Sequence, residues 1–162
     1  MPMSLPHKDS YRLGVISDTH GYLPPRVLRV FEGADVILHA GDIGSQDILE
    51  ALSAVAPVLA VRGNMDGGFW ADRLAECEFL KAGDQLIQLI HDRLRLRREA
   101  APEGCLAVVN GHTHRTSVEK KNGVLYINPG SAGAPRWGEQ PCVALIHVKG
   151  AAATVEIISV AE

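Results

Sequence analysis

Five short polar motifs in this chain each follow a run of apolar residues, at positions where a β-strand would end. They offer carboxylates, imidazoles and one amide, which are side chains that bind divalent metal ions of intermediate character. The motifs are Asp18-Thr19-His20, Gly41-Asp42, Gly63-Asn64, His91 and Gly111-His112-Thr113-His114. Because open α/β sheets bind ligands where their strands end, we expect these side chains to meet at one site.

The donor atoms of these motifs favour a catalytic metal centre. None of the motifs contains a cysteine, and thiolates are the usual ligands of structural zinc. Mixed carboxylate and imidazole sites suit Mn²⁺, Fe²⁺ or catalytic Zn²⁺, and two such ions about 3.5–4 Å apart form a centre for phosphoryl transfer. Asp18 and His20 are two residues apart, as are His112 and His114. An extended backbone would point both members of each pair to one side.

Each motif taken alone has a plainer structural interpretation. Asp18 and Asp42 can be capping residues of turns, and Asn64 can be a left-handed turn residue. A single histidine such as His91 more often completes a local hydrogen bond than binds a metal ion. The placement of all five motifs at predicted strand ends favours the metal-site interpretation.

Alternating strands and helices are predicted to position the first three motifs. We expect strands at 11–16, 36–40 and 58–61, with helices beginning near Pro24 and at Ser45 between them. This order of elements is typical of a sheet with helices on its faces.

The second half of the chain is predicted to be mainly antiparallel. Strands at 77–81 and 85–90 form a hairpin, Asn122-Gly123 indicates a type I′ turn, and a hairpin with a longer loop opens at Lys149-Gly150. A short helix is expected at 93–100. The predicted fold is α+β, a four-layer αββα sandwich of two mixed β-sheets flanked by helices.

Composition limits the partners of the chain. A formal net charge of −3 over 162 residues is too small to indicate a membrane or a specific nucleic acid as partner. The three cysteines are widely spaced, as expected for reduced cysteines of a cytoplasmic protein. We expect a flexible N-terminal leader over residues 1–10 and a single domain over residues 11–162.

The motifs together resemble those of the calcineurin-like metallophosphoesterases. The resemblance runs from Tyr11 to His114, and Asn128-Pro129-Gly130-Ser131 extends it to the small bacterial and archaeal phosphodiesterase branch. It implies an αββα sandwich that hydrolyses small phosphate diesters with a hydroxide bridging two metal ions. It also implies a homo-oligomer, either a dimer or a tetramer.

The resemblance implies roles for individual residues. One metal ion would be held by Asp18, His20, Asp42 and His114, and the second by Asp42, Asn64, His91 and His112. We favour Mn²⁺ for both positions, with Fe, Ni²⁺ and Zn²⁺ as alternatives. Asn64 and His112 would also act in catalysis, and Asp66 would orient a ligand without touching the metal. Arg115 and Arg136 are candidate substrate contacts, because one follows His114 and the other follows the Asn-Pro-Gly-Ser loop.

Two other functions fit the same residues. A phosphomonoesterase would use an identical metal centre, and a non-catalytic interaction scaffold would keep the metal ligands without turnover.

The chain also departs from the family around two ligands. Asp92 follows His91, where glycine is common, and either caps the next helix or bonds back to a ligand. About twenty residues separate His91 from His112, which predicts a shortened helix and a more open site.

Met65 follows Asn64, where many relatives carry a histidine that protonates the leaving group. A thioether has no acidic proton to give. We therefore expect aryl diesters, whose leaving groups need no proton, to be cleaved far better than alkyl diesters. Met65→His should raise the turnover of an alkyl diester by roughly 10²–10⁴-fold. The measurement is kcat for the alkyl diester, with kcat for bis-p-nitrophenyl phosphate as the reference. Unchanged alkyl turnover in this variant would contradict the interpretation.

Overall fold

Two β-sheets packed face to face form the body of the protein in the computed structural model, which describes residues 2–96 and 101–162. In chain order the elements are β1 (Met3–Ser4), β2 (Ser10–Ile16), α1 (Arg26–Val30), β3 (Val36–His39), α2 (Gln46–Ser53), β4 (Val58–Ala60), α3 (Phe69–Asp72), β5 (Cys77–Ala82), β6 (Gln85–Ile90), a 3₁₀ helix (Arg93–Leu96), β7 (Cys105–Val109), β8 (Thr116–Lys121), β9 (Val124–Pro129), β10 (Cys142–Lys149) and β11 (Ala152–Ser159). Within these ranges no helix is long and apolar enough to cross a membrane.

Both sheets are mixed, which confirms the predicted fold class. The first sheet has the order β11-β10-β2-β3-β4, in which β2, β3 and β4 are parallel and β10 runs antiparallel to β2 and β11. The second has the order β1-β5-β6-β7-β9-β8, with β6, β7 and β9 parallel. The parallel strands of each sheet therefore bring several loops to one end of that sheet.

The two largest apolar clusters lie one on each side of the first sheet. Leu13 and Leu38 pack between the sheets, where Ile87 and Ile127 of the second sheet complete the cluster. On the outer face, helices α1 and α2 pack on the same strands, together with Phe31 just after α1. Burial on both faces explains why β2 and β3 read as nearly continuous apolar runs.

The N-terminal segment differs from its prediction as a flexible leader. Met3 and Ser4 pair in parallel with Leu80 and Lys81, and the Leu5 amide donates to the Lys81 carbonyl at 2.9 Å. This pairing covers an edge of the second sheet that would otherwise expose its backbone groups. Sequence patterns do not predict this pairing, because two paired residues are too short for a periodic pattern.

Two hairpins test the turn predictions. Asn122 and Gly123 have φ of +52° and +81°, which confirms the type I′ turn. The β10–β11 hairpin is tighter than predicted, because Lys149 pairs with Ala152 across a two-residue loop that begins with Gly150 at φ +60°.

The helix predicted at 93–100 is only partly within the described residues. Arg93–Leu96 form a 3₁₀ helix rather than an α-helix, and residues 97–100 lie outside the described residues. The Arg93 guanidinium lies 4.3 Å from the centre of the Tyr126 ring, on the outer face of the second sheet.

Ile87→Ala is expected to lower the free energy of unfolding by about 2–5 kcal/mol, because Ile87 is fully buried between the sheets and its loss leaves a cavity. The urea midpoint of the metal-free protein measures this change. Val118→Ala, at a position 45% exposed, is the matched control and should shift the midpoint little. Equal shifts for the two variants would contradict the assigned core.

Candidate metal centre

The loops that carry the five motifs meet at one end of the two sheets. Three of them follow the parallel strands β2, β3 and β4 of the first sheet, and two follow β6 and β7 of the second. Backbone hydrogen bonds join neighbouring loops: the Asp18 amide donates to the Gly41 carbonyl at 3.0 Å, and the Gly111 amide donates to the His91 carbonyl at 2.9 Å. The side chains of all seven predicted ligands lie together as a result.

A first cluster joins Asp18, His20 and His114. The Oδ1 atom of Asp18 lies 3.3 Å from Nε2 of His114 and 3.6 Å from Nε2 of His20, and the two Nε2 atoms are 3.2 Å apart. All three ligand atoms lie within 4.8 Å of one another, a spacing that suits a single metal ion.

A second cluster joins Asp42, His91 and His112, with Asn64 beside them. The Oδ2 atom of Asp42 lies 3.3 Å from Nε2 of His91. The Asn64 Oδ1 atom is 2.9 Å from the same nitrogen and 3.2 Å from Nδ1 of His112. This group also has the spacing of a metal site.

Asp42 lies between the two clusters. Its Oδ2 atom faces His91 of the second cluster and lies 3.7 Å from Nε2 of His20 in the first. Its other oxygen, Oδ1, accepts a hydrogen bond from the Met65 amide at 2.8 Å. The carboxylate is therefore oriented by the backbone, and one of its oxygens faces both groups of imidazoles.

The Asp18 carboxylate gives the strongest indication of a cation site. It is fully buried, and its Oδ2 atom accepts hydrogen bonds from the Ser17 hydroxyl at 2.6 Å and from the His112 amide at 3.0 Å. Its Oδ1 atom has no hydrogen-bond partner among the described residues. A buried carboxylate oxygen without a donor is costly. The residues present therefore fit a bound cation.

The tautomers of two histidines agree with metal binding. Nδ1 of His91 and Nδ1 of His114 each lie 2.7 Å from a backbone carbonyl, of Ala40 and Ala134 respectively. A carbonyl only accepts, so each Nδ1 carries the proton, and in the neutral ring Nε2 keeps its lone pair. Both Nε2 atoms point into the clusters, as metal-binding imidazoles do.

Charge at the second cluster favours the ionised carboxylate. Burial by itself would raise the pKa of Asp42, but contact with the protonated form of His91 and a hydrogen bond from the Met65 amide outweigh it and lower that pKa. Burial likewise opposes the charged form of His91, yet its contact with Asp42 and the nearby charge of Asp18 raise its pKa. The protein thus presents anionic oxygens that attract positive charge.

Five of the seven side chains project from left-handed backbone, so the predicted extended conformation is wrong. The φ angles are +53° at Asp18, +47° at His20, +53° at Asp42, +73° at His112 and +61° at His114. Residues other than glycine rarely adopt this region, and such strain is concentrated at functional sites. The sharp turns, rather than alternation along a strand, aim these side chains at a common point.

Asp66 contacts backbone rather than a ligand side chain. Its two carboxylate oxygens accept hydrogen bonds from the Gly44 amide at 3.0 Å and from the Gly63 amide at 2.9 Å. These bonds tie the loop after β3 to the loop after β4, which carries Asn64. Asp92 has two contacts: Oδ1 accepts from the Leu94 amide at 3.0 Å, and Oδ2 lies 3.9 Å from Nε2 of His112.

The two candidate substrate arginines are exposed and lie outside both clusters. The Arg115 guanidinium lies 4.6 Å from the centre of the Trp137 ring. Arg136 lies in the loop after β9, where its carbonyl accepts a hydrogen bond from the Glu139 amide at 3.0 Å.

The Asn-Pro-Gly-Ser loop supports the ligand loops directly, a role that sequence patterns did not reveal. The Ser131 hydroxyl donates to the Asp18 carbonyl at 2.7 Å, and the Asn128 amide donates to the Gly111 carbonyl at 3.0 Å. Only the resemblance had singled out this loop. A cavity of about 720 Å³ beside the second cluster was also missed; Arg62, Glu76 and Arg95 are among the residues that line it.

The whole-chain comparisons agree with this site. The family "Calcineurin-like phosphoesterase superfamily domain" matches residues 11–151, so the chain belongs to that superfamily. The chain is 35% identical over 162 residues to a probable metallophosphoesterase of Methanothermobacter thermautotrophicus, covering 90% of this chain and 91% of the relative. It is 33% identical over 153 residues to the phosphodiesterase YfcE of Escherichia coli, covering 78% and 82%. The predicted class, a phosphoric ester hydrolase, is confirmed.

Solved structures show the same fold. Vacuolar Protein Sorting 29 from Cryptosporidium parvum superimposes with a TM-score of 0.73 at 22% identity, covering 93% of this chain and 98% of the other. At this level of identity the likeness concerns the fold alone.

His39 links two ligand loops and must stay neutral to do so. The Gly41 amide donates to its Nδ1 at 3.1 Å, so Nε2 carries the proton and donates to the Thr19 hydroxyl, also at 3.1 Å. The Thr19 hydroxyl in turn donates to the Ile43 carbonyl at 2.7 Å. Complete burial lowers the pKa of His39 from 6.5 to about 3.

This buried histidine predicts a pH dependence of stability. Below pH 6.5 His39 binds a proton in the unfolded chain but not in the folded chain. The folded state therefore loses stability as the pH falls towards 3. The loss approaches about 1.4 kcal/mol per pH unit. His39→Gln should therefore show a shallower fall in unfolding free energy between pH 6.5 and 4.5, measured by urea titration with a chelator present. Parallel curves for the two proteins would contradict a neutral His39.

Proposed function

We propose that this protein is a phosphodiesterase that binds two divalent metal ions. The observation that carries the proposal is the position of the Asp42 carboxylate, which faces one cluster of imidazoles on each side. Asp18, His20, Asp42 and His114 would hold one ion, and Asp42, Asn64, His91 and His112 the other. Bound ions of this kind lower the pKa of water towards roughly 7 and neutralise charge on phosphate oxygens.

The chain's own residues would orient these groups. The Met65 amide holds Asp42, and the hydroxyl of Ser131 holds the turn at Asp18. Asp66 fixes the loop that carries Asn64, so we propose a positioning role for it rather than contact with a ligand. Arg115 and Arg136 remain proposed substrate contacts at the edge of the site.

A diester is the favoured substrate for two reasons. The relative YfcE is named a phosphodiesterase, as is a second relative from Methanocaldococcus jannaschii that is 28% identical over 141 residues. The cavity beside His91 and His112, about 720 Å³, also falls within the range of small-molecule sites and exceeds what a phosphate group alone would need. It offers space for an ester arm next to the second cluster.

The metal, the cellular location and the assembly are also proposed. Mn²⁺ is favoured among metals that accept carboxylate, amide and imidazole ligands together, with Fe, Ni²⁺ and Zn²⁺ as alternatives. The three free cysteines favour a cytoplasmic protein. We also propose a single domain over residues 11–162, from its length, and a dimer or tetramer, from the resemblance.

An interaction scaffold is the second candidate. The absence of an acidic proton on Met65 favours it. The unpaired oxygen of Asp18 opposes a scaffold without metal, because a buried anion that binds nothing costs stability.

Asp42→Asn is the variant that tests the shared carboxylate. We expect the wild type to bind two Mn²⁺ ions per chain and to hydrolyse bis-p-nitrophenyl phosphate faster than the monoester p-nitrophenyl phosphate. The variant should bind metal weakly at both positions and lose more than about 10³-fold in kcat/KM, since it removes negative charge from both clusters. Metal analysis and both hydrolysis assays measure this, with Asp47→Asn on the exposed face of α2 as the control.

Each other outcome assigns a different function. Faster hydrolysis of the monoester would indicate a phosphomonoesterase. Full metal content without hydrolysis of either ester would indicate the scaffold. An Asp42→Asn variant that retains two ions would contradict the shared ligand.

A further inference from the structure

Trp137 is presented to solvent in a way that folding alone does not favour. Its side chain is 65% exposed, although the large indole gains most from burial. Its backbone has φ of +61°, a left-handed conformation that is uncommon for a residue of this size, and Gly138 follows at +75°. A bulky exposed residue on strained backbone indicates a function for the side chain.

The indole is attached to the loop that carries two of the proposed metal ligands. Its Nε1–H group donates to the Thr113 carbonyl at 3.4 Å, and Thr113 lies between His112 and His114. The Thr113 hydroxyl is itself held by the Asn128 amide at 3.1 Å. The ring is thus anchored at its polar edge beside the clusters.

A second contact holds the rest of the Trp137 loop. The Glu139 carboxylate accepts hydrogen bonds from the Thr116 amide at 3.2 Å and from the Thr116 hydroxyl at 3.5 Å. The loop is therefore fastened to the start of β8 on one side of the ring and to Thr113 on the other. Such fixation reduces the entropy that a flexible aromatic would lose on binding a ligand.

The Arg115 guanidinium adds a cation to this surface. It lies 4.6 Å from the centre of the Trp137 ring, within the range of a cation–π contact. The Arg115 amide is fixed by the Thr113 hydroxyl at 3.2 Å. One aromatic ring and one cation are consequently held together next to the phosphate-binding end of the sheets.

We propose that Trp137 and Arg115 form a stacking platform for a planar aromatic ring on one ester arm of the substrate, such as the base of a nucleotide. This inference rests on the proposed function and specifies its substrate class. Aromatic side chains bind bases through stacking regardless of base identity, and arginine contributes a cation–π term. The platform lies beside the loop of His112 and His114, so an arm attached to a bound phosphate can reach it.

Two matched inhibitors measure how much the base of the ligand contributes to binding affinity. Adenosine 5′-monophosphate and ribose 5-phosphate share the sugar and the phosphate and differ by the base. The wild type with Mn²⁺ should bind the first about 5- to 100-fold more tightly, as expected for one stacked base. Inhibition of bis-p-nitrophenyl phosphate hydrolysis gives one measure, and quenching of Trp137 fluorescence in a Trp70→Phe background gives a second that needs no turnover.

The variants separate stacking from structural support. Trp137→Leu should bring the two affinities close together, whereas Trp137→Phe should keep part of the preference and Arg115→Gln should weaken it. Phe69→Leu, at another exposed aromatic residue, should keep the wild-type ratio. Damage to the metal ligands would weaken both inhibitors equally, so the ratio reports only the base.

The outcomes also separate this inference from the proposed function. A wild type that binds both inhibitors equally, or a Trp137→Leu variant with an unchanged ratio, would overturn the platform. Failure to hydrolyse any diester, with the base preference intact in the fluorescence titration, would overturn the phosphodiesterase and leave the platform standing.

Discussion

An anionic oxygen buried without a hydrogen-bond donor is the feature on which the rest of this structure depends. Asp18 contributes that oxygen, and its neighbours on that side are imidazole nitrogens of His20 and His114. Burial of such a group is unfavourable unless a cation compensates it. The surrounding loops hold the carboxylate rigidly, so the site cannot relax by turning that oxygen towards water. Function at this site therefore comes at a cost to the stability of the metal-free chain.

The architecture keeps this arrangement in place by connecting loops to one another. His39 joins the turns at Thr19 and Gly41, and Asp66 joins the two loops that follow β3 and β4. Ser131, far along the chain, fixes the carbonyl of Asp18. Each of these side chains forms a hydrogen bond with the backbone of a loop. These bonds stabilise the left-handed conformations of the ligand residues, which would be unfavourable in an isolated loop. Rigid strands on both sheets supply the fixed ends of every loop.

Much of the fold and of the candidate site could be predicted from the pattern of residues. Apolar runs located β2, β3, β6 and β7, because strands buried on both faces are almost continuously apolar. Polar residues at the ends of those runs, together with Asn64 after β4, identified all seven side chains that meet in space. The pairing of Met3–Ser4 with β5 was not predictable, because it depends on an edge created by distant strands. The extended conformation expected for the Asp18 and His112 pairs was wrong, because tertiary hydrogen bonds impose turns there.

The sequence by itself determined which side chains are available for a cation and in which strand-end loops they lie, since side-chain chemistry and local apolar periodicity are properties of the chain. Only the tertiary structure decided how they are grouped. Asp18 meets His114, which lies far along the chain, through the packing of one sheet on the other. The tertiary structure also places the Arg115 guanidinium over the Trp137 ring, a contact between the loops after β7 and β9. Such contacts link residues far apart in the chain, so no local pattern records them.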